Sequence, residues 1–305
     1  MRSLSVKKIG FLFAAVLMAL LIWWVYWKAT AGSPGVASVS SESRFPIRKL
    51  VQYSFTLQNQ TSRVLEKAEL WTYAPMKETS SQRLQDVDAS FPYELTTDSV
   101  GNQILHFTFH EIPPYANKIL TIQADLAFSD APNGMELREP GVFLQPEQFV
   151  EADAPEIVKL ADRFKGPAPM EAAGMIHEWV ARRIRYKGYA REDHGALYAL
   201  NNGRGDCTEY MYLFVALCRA KGIPARGVCG YVCKNGGVLK PSGYHNWAEF
   251  YDRGAWRIAD PQRNVFMRNG DQYIAMRIIN RTERDFGGGF HRFRFAGEGL
   301  SVKMN

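Results

Sequence analysis

The chain has 305 residues, long enough for two modules plus accessory segments, since single domains run to about 100 to 200 residues. Apolar residues make up 46% and charged residues 22%, which excludes a disordered chain and a polytopic membrane protein. The formal charge of +6 is scattered along the chain, so a nucleic-acid-binding tail is excluded too, and weak attraction to anionic lipid or cell-wall polymer is the most the charge allows.

The first element in chain order is an uncharged, mostly apolar run at 9–27. As a helix it spans roughly 28 Å, about one hydrocarbon core. Arg2, Lys7 and Lys8 precede it and only Lys28 follows closely, so residues 1–8 are expected in the cytoplasm and the remainder outside it. The expectation is a single-pass anchor in the cell inner membrane with a periplasmic or extracellular catalytic domain. Ala29-Thr30-Ala31 before Gly32 has the small-residue form of a signal-peptidase site, which makes cleavage the competing reading. The length of the run, and the cluster of Trp23, Trp24, Tyr26 and Trp27 at the outer interface, favour an uncleaved anchor. Residues 28–44, rich in Ser, Ala and Gly, read as a flexible linker.

From 45 to 130 the pattern is all-β. Alternating runs at 50–57, 68–73, 103–109 and 119–126 are separated by turn residues and predict a sandwich-like domain. Asp98-Ser99-Val100-Gly101-Asn102 has hairpin-turn composition, and Pro113-Pro114 marks a further break. No His, Cys and carboxylate constellation occurs in this module, so packing, spacing or partner binding is its expected role. Residues 131–155 read as a proline-bearing connector, and 156–305 as the catalytic domain. Within it, 169–186 reads as a helix with Ala173, Ile176, Val180 and Ile184 on one stripe. His177 beside that stripe and His194 in a polar loop have no partners nearby in sequence and read as structural or surface imidazoles.

The chemistry concentrates further on. Gly203-Arg204-Gly205-Asp206 runs into a helical pattern at Cys207, Tyr210, Met211, Phe214, Leu217 and Cys218 that stops at Gly222. Cys207 thus falls in the first turn, where free N–H groups and the positive end of the helix dipole favour thiolate. A strand at 225–233, a Gly- and Pro-bearing loop and a strand at 244–251 follow. A turn at Asp252-Arg253-Gly254 then leads into a return strand ending at Asp260. With Asp252 and Arg253 as the loop, Tyr251 pairs with Gly254 and His245 lies directly opposite Asp260. The carboxylate can hold one imidazole nitrogen while the other faces the thiol, the logic of nucleophile, base and orienting group. A satisfied structural His-Asp pair is the bland alternative. Cys218, Cys229 and Cys233 read as small buried apolar residues. In an extended strand Cys229 and Cys233 stand roughly 13 Å apart, beyond disulfide reach. No further Cys or His pair has metal-site spacing, so neither metal nor cofactor is expected.

The segments GRGDCTEYMYLFVALCRAKGIPARGVCGYV, HNWAEFY and AWRIADPQ resemble, in order and spacing, the Cys, His and Asp motifs of the transglutaminase-like superfamily over roughly 156–265. The resemblance implies an α+β fold: a papain-like core preceded by the all-β sandwich-like domain of related exported bacterial proteins and by the N-terminal transmembrane helix. It further implies Cys207 as nucleophile, His245 as base and Asp260 as orienting carboxylate. The implied function is a membrane-anchored thiol enzyme, a cysteine protease or amidase, that acts on protein or peptide amides through a thioester. Protein-glutamine amine transfer and a catalytically idle binding or assembly module are the alternatives. An oxyanion hole would use the Cys207 N–H and one side-chain donor, for which Tyr186 is a candidate. Asn246 stands where a small residue is common, a departure that bears on substrate contacts. Trp247 and Trp256 alternate on strands and read as core more than as cleft lining. The stretch 290–295 alternates apolar and basic residues, as a strand with one solvated face does. The expected partners are a protein or peptide substrate and the membrane, with no nucleic acid.

Overall fold

The structure is a computed structural model that describes residues 44–190, 192–279 and 292–305. The predicted anchor at 9–27 and most of the linker lie outside the described residues, as do Phe290 and His291 of the predicted C-terminal strand. Among the described residues no helix is long and apolar enough to cross a membrane.

The N-terminal part is built of strands β1 (Ile47–Asn59), β2 (Leu65–Tyr73), β3 (Gln82–Ala89), β4 (Glu94–Thr97), β5 (Gln103–Ile112) and β6 (Asn117–Phe128). On β1 the side chains of Val51, Tyr53, Phe55 and Leu57 are buried and the residues between them are not, the alternation of a sheet with one wet face. β1 pairs antiparallel with β6 almost end to end, and β6 with β3. β5 lies between β2 and β4 in a second sheet, and the inner faces of the two sheets share one apolar core around Phe55, Leu70, Phe107 and Ile122.

Four helices follow with two short strands among them: α1 (Pro155–Ala161), α2 (Pro169–Arg183), β7 (Arg185–Tyr186), α3 (Ala196–Asn202), β8 (Arg204–Gly205) and α4 (Cys207–Ala220). α2 stops short of the predicted 186. Ile184 turns extended, and Arg185 N–H bonds the Gly203 carbonyl at 2.9 Å, drawing the chain into a parallel pair with β8. α4 is buried along nearly its whole length, with α1, α2 and α3 packed against it in one core with the following sheet.

That sheet contains β9 (Ala225–Val232), β11 (Tyr244–Asp252), β12 (Ala255–Asp260), β13 (Val265–Phe266) and β14 (Tyr273–Ile279), in the order β13-β12-β11-β9-β14. The hairpin β11–β12 differs from the expected register. Its loop is Arg253-Gly254, both at positive φ (48° and 77°), with Asp252 paired to Ala255 and Ala248 to Ala259. Two consecutive left-handed residues match the twist of the flanking strands, and glycine second makes the turn affordable. The pairing therefore moves by two residues, and Asp260, one step beyond Ala259, falls across from Trp247. An even shift keeps both side chains on the same face, so His245 and Asp260 still meet.

The chain then returns to the N-terminal sheets. β10 (Gly237–Val238) and β16 (Leu300–Met304) both pair with β1, and β15 (Phe293–Ala296) pairs with β2. The last strands of 156–305 thus complete the sheets begun at 47–128. Side-chain amides from those sheets also satisfy β14: Gln82 Oε1 accepts the Ala275 N–H at 2.8 Å, and Asn102 Oδ1 accepts that of Ile278 at 2.6 Å.

Gly230 on β9 pairs with His245 on β11 and Ala275 on β14. A Cβ there would stand 1.9 Å from the Ile274 carbonyl oxygen and 3.0 Å from Trp247. Backbone on one side and a buried ring on the other leave no room, so Gly230→Ala is expected to cost at least about 3 kcal/mol in urea denaturation. A wild-type midpoint would contradict this close approach.

Candidate active site

The start of α4 is set by a reciprocal cap. Asp206 Oδ1 accepts the Thr208 N–H at 2.8 Å, and Glu209 Oε2 accepts the Asp206 N–H at 2.9 Å. The same two carboxylates hold the preceding loop: Asp206 Oδ2 accepts from Ala190 N–H at 2.9 Å and Glu209 Oε1 from His194 N–H at 3.1 Å. Gly205 lies against Glu209, where a Cβ would come within 2.3 Å of the glutamate Cβ. The cap thereby places Cys207 at the first helical position, half-buried, in a cleft of about 420 Å³ that Tyr186, Tyr189, Asp193, Tyr244, Asn246 and Arg292 also line.

His245 and Asp260 come from neighbouring strands. His245 Nε2 lies 2.7 Å from Asp260 Oδ2, and Asp260 is completely buried. The Tyr273 hydroxyl donates to the same Oδ2 at 2.9 Å, and the Arg263 N–H to Oδ1 at 3.2 Å. Since both oxygens act as acceptors, Nε2 carries the proton toward Asp260 and Nδ1 is left with its lone pair. Trp247, almost fully buried, stacks 6.4 Å from the His245 ring and meets Tyr273 edge-on at 5.1 Å, keeping water from the pair. His177, which is buried, packs against Phe266 at 5.1 Å, beside the strand end that carries the carboxylate. His194 packs on Tyr198 at 4.4 Å.

Cys207 is joined to this pair through the residue beside His245. Asn246 Nδ2 donates to Thr208 Oγ1 at 2.9 Å, tying β11 to the residue after the cysteine, and among the described residues no hydrogen bond joins Sγ to the imidazole. Burial first, and then the adjacent Asp206 carboxylate, push the thiol up to about 12, with the nearby Asn246 backbone N–H and Thr208 hydroxyl acting the other way. The expected preference for thiolate at a helix start is outweighed, because the sulfur is drawn out of water beside a carboxylate. The resting group is a neutral thiol.

A pH profile checks this. A raised pKa keeps the protonated form dominant to higher pH, so in a His245→Ala chain alkylation by iodoacetamide is expected to climb about tenfold per pH unit, levelling only near pH 12. A plateau at the ordinary thiol range, about 8.5, would contradict it.

Thr208, Tyr273, Arg263 and Arg292 were not read as site residues from sequence. Thr208, adjacent to the cysteine, and Arg263, three residues after Asp260, were within reach of such a reading; Tyr273 and Arg292 come from more distant segments and carry no local signal. All four cysteines are free thiols, and among the described residues no cluster of His, Cys, Asp and Glu is arranged to hold a metal ion.

A cysteine heading a buried helix, beside a strand pair that brings a histidine onto a buried aspartate, defines the class: a mixed α+β protein with a transglutaminase-like core. Residues 158–261 match the sequence model of the Transglutaminase-like superfamily, and that segment is a domain of this superfamily. The chain is similar to the crystal structure of a candidate cysteine protease from Cytophaga hutchinsonii, with 18% identity and a TM-score of 0.57 over 85% of this chain and 90% of the other. At that identity the likeness concerns the fold alone. A looser likeness is to the periplasmic domain of TgpA from Pseudomonas aeruginosa, with 16% identity and a TM-score of 0.39 over 68% of this chain and 90% of that one. No curated protein matches the sequence.

Proposed function

We propose that this chain is a membrane-anchored thiol enzyme that cleaves protein or peptide amide bonds through a thioester on Cys207, with His245 as base and Asp260 as the group that orients it. The observation that carries this reading is the 2.7 Å bond from His245 to fully buried Asp260, set one residue from Asn246, whose amide bonds Thr208 beside Cys207. As the sulfur bonds the carbonyl carbon, its proton passes to Nδ1 of His245. The carbonyl oxygen takes up the negative charge. Helix geometry leaves the Cys207 N–H without an intrahelical partner, and it is one donor to this oxyanion. The Tyr186 phenol is the other; burial, and next the nearby Cys207 sulfur, raise its pKa, so the hydroxyl keeps its proton to donate. The C–N bond then breaks and His245 returns the proton to the leaving amine. Water attacks the thioester, giving one proton to His245, which passes it to the departing sulfur.

The run at 9–27, with Arg2, Lys7 and Lys8 before it, supports an anchor in the inner membrane with the cleft on its periplasmic or extracellular side. Through Gln82 and Asn102 the all-β part holds β14, the strand of Tyr273. The test uses the full chain in detergent with casein and a labelled primary amine. Cleavage without label supports hydrolysis, and label in casein means that amine resolves the thioester. Neither, with Cys207 intact, points to an idle binding module.

A further inference from the structure

The wall of the cleft beside Cys207 contains a side chain whose hydrogen bonding is half complete. Asn246 is 7% exposed and lines the cleft. Its Nδ2 donates to Thr208 Oγ1 at 2.9 Å, while its Oδ1 is buried with no hydrogen-bond partner among the described residues. The Thr208 oxygen accepts from Nδ2, so the amide turns its donor to Thr208 and leaves Oδ1 for something else.

What that partner is follows from the other groups near the sulfur. The Asn246 N–H, the Thr208 hydroxyl and the Cys207 N–H are donors, suited to sulfur and to the oxygen of a carbonyl under attack. Of the nearby acceptors, Asp206 already takes N–H groups on both oxygens and Asp193 takes the Tyr212 hydroxyl at 3.1 Å. The unmatched group is an acceptor, and its complement is an N–H. Buried carbonyl oxygens are rarely left unpaired in native proteins, which makes a bound ligand the natural source of the missing donor.

We propose that Asn246 is a specificity-determining residue whose Oδ1 accepts an N–H of the amide attacked by Cys207. The cleft then takes primary carboxamides and secondary peptide amides, and disfavours tertiary amides such as the bond before proline. This rests on the thiol chemistry proposed above, and one set of measurements separates the two.

The full chain in detergent is alkylated with 2-iodoacetamide, which has N–H groups, and with 2-iodo-N,N-dimethylacetamide, which has none. Modification of Cys207 is read by peptide mass spectrometry, and each rate is divided by the rate of the same reagent with glutathione. The corrected preference for the N–H reagent is expected to be about 3- to 10-fold, the worth of one hydrogen bond. It should fall to about one in Asn246→Ala and shrink in Thr208→Val, where Nδ2 loses its acceptor and the amide is no longer held with Oδ1 outward. Equal corrected rates in the intact chain overturn the proposal without recourse to any variant, as does a preference that survives Asn246→Ala. A His245→Ala chain alkylated as fast as the intact one at neutral pH would instead sink the base role, while the reagent preference still decides the role of Asn246.

Discussion

Replacing Cys207 by alanine is expected to lower amide turnover by at least about 10⁴-fold, to whatever the cleft and its oxyanion donors achieve alone. Without the sulfur no thioester forms, and neither His245 nor Asp260 can supply a nucleophile in its place. The fold should be nearly untouched. Cys207 is half-buried at the first position of α4, the cap runs through Asp206 and Glu209, and alanine suits a helix. A urea midpoint within about 1 kcal/mol of wild type is expected alongside the lost turnover. Turnover that survives the substitution in a folded chain would remove Cys207 from the chemistry altogether.

The second large effect is expected at Asp260. Asparagine has nearly the same shape but presents an NH₂ group where the carboxylate has an acceptor. Three donors converge on this buried side chain, from His245, Tyr273 and the Arg263 backbone, and an amide oxygen can replace only one side of that arrangement. Either the Tyr273 hydroxyl faces a donor, or the imidazole turns its proton toward Cys207, which is the wrong tautomer for a base. By analogy with other orienting carboxylates, kcat is expected to fall about 10⁴-fold. An unsatisfied buried group adds a stability loss of about 1 to 3 kcal/mol. The discriminating measurement is the neutral-pH, His245-dependent alkylation of Cys207, which should vanish in Asp260→Asn. If that rate is kept, Asp260 is a structural partner of His245 and no more.

Several features could be read without the fold because the forces that set them act within a few residues. The glycine turn, Asp206 and the apolar period after Cys207 place a cysteine at the head of a buried helix. The alternation in β1 and β6 announced sheets with one wet face, and Trp247 and Trp256 proved buried, as their strand positions suggested. Even the misjudged hairpin carried its signal. Arg253-Gly254 ends in the residue that a turn with two positive φ angles wants second, and a loop centred there gives the observed register. The error left His245 beside Asp260 because strand side chains repeat every second residue, and the register moved by two.

The tertiary structure decided the rest. That β15 and β16 return to β2 and β1 has no local signature, since edge strands are chosen by whichever sheet lacks a partner. Tyr273 reaches Asp260 because β14 pairs with β9 and is also held by Gln82 and Asn102 from another part of the chain. By itself, the sequence determined which side chains carry the candidate chemistry and the local elements that present them. The fold determined the protonation of Cys207 and the open acceptor on Asn246, because both depend on desolvation by distant residues, and no spacing along the chain encodes how much water a site retains.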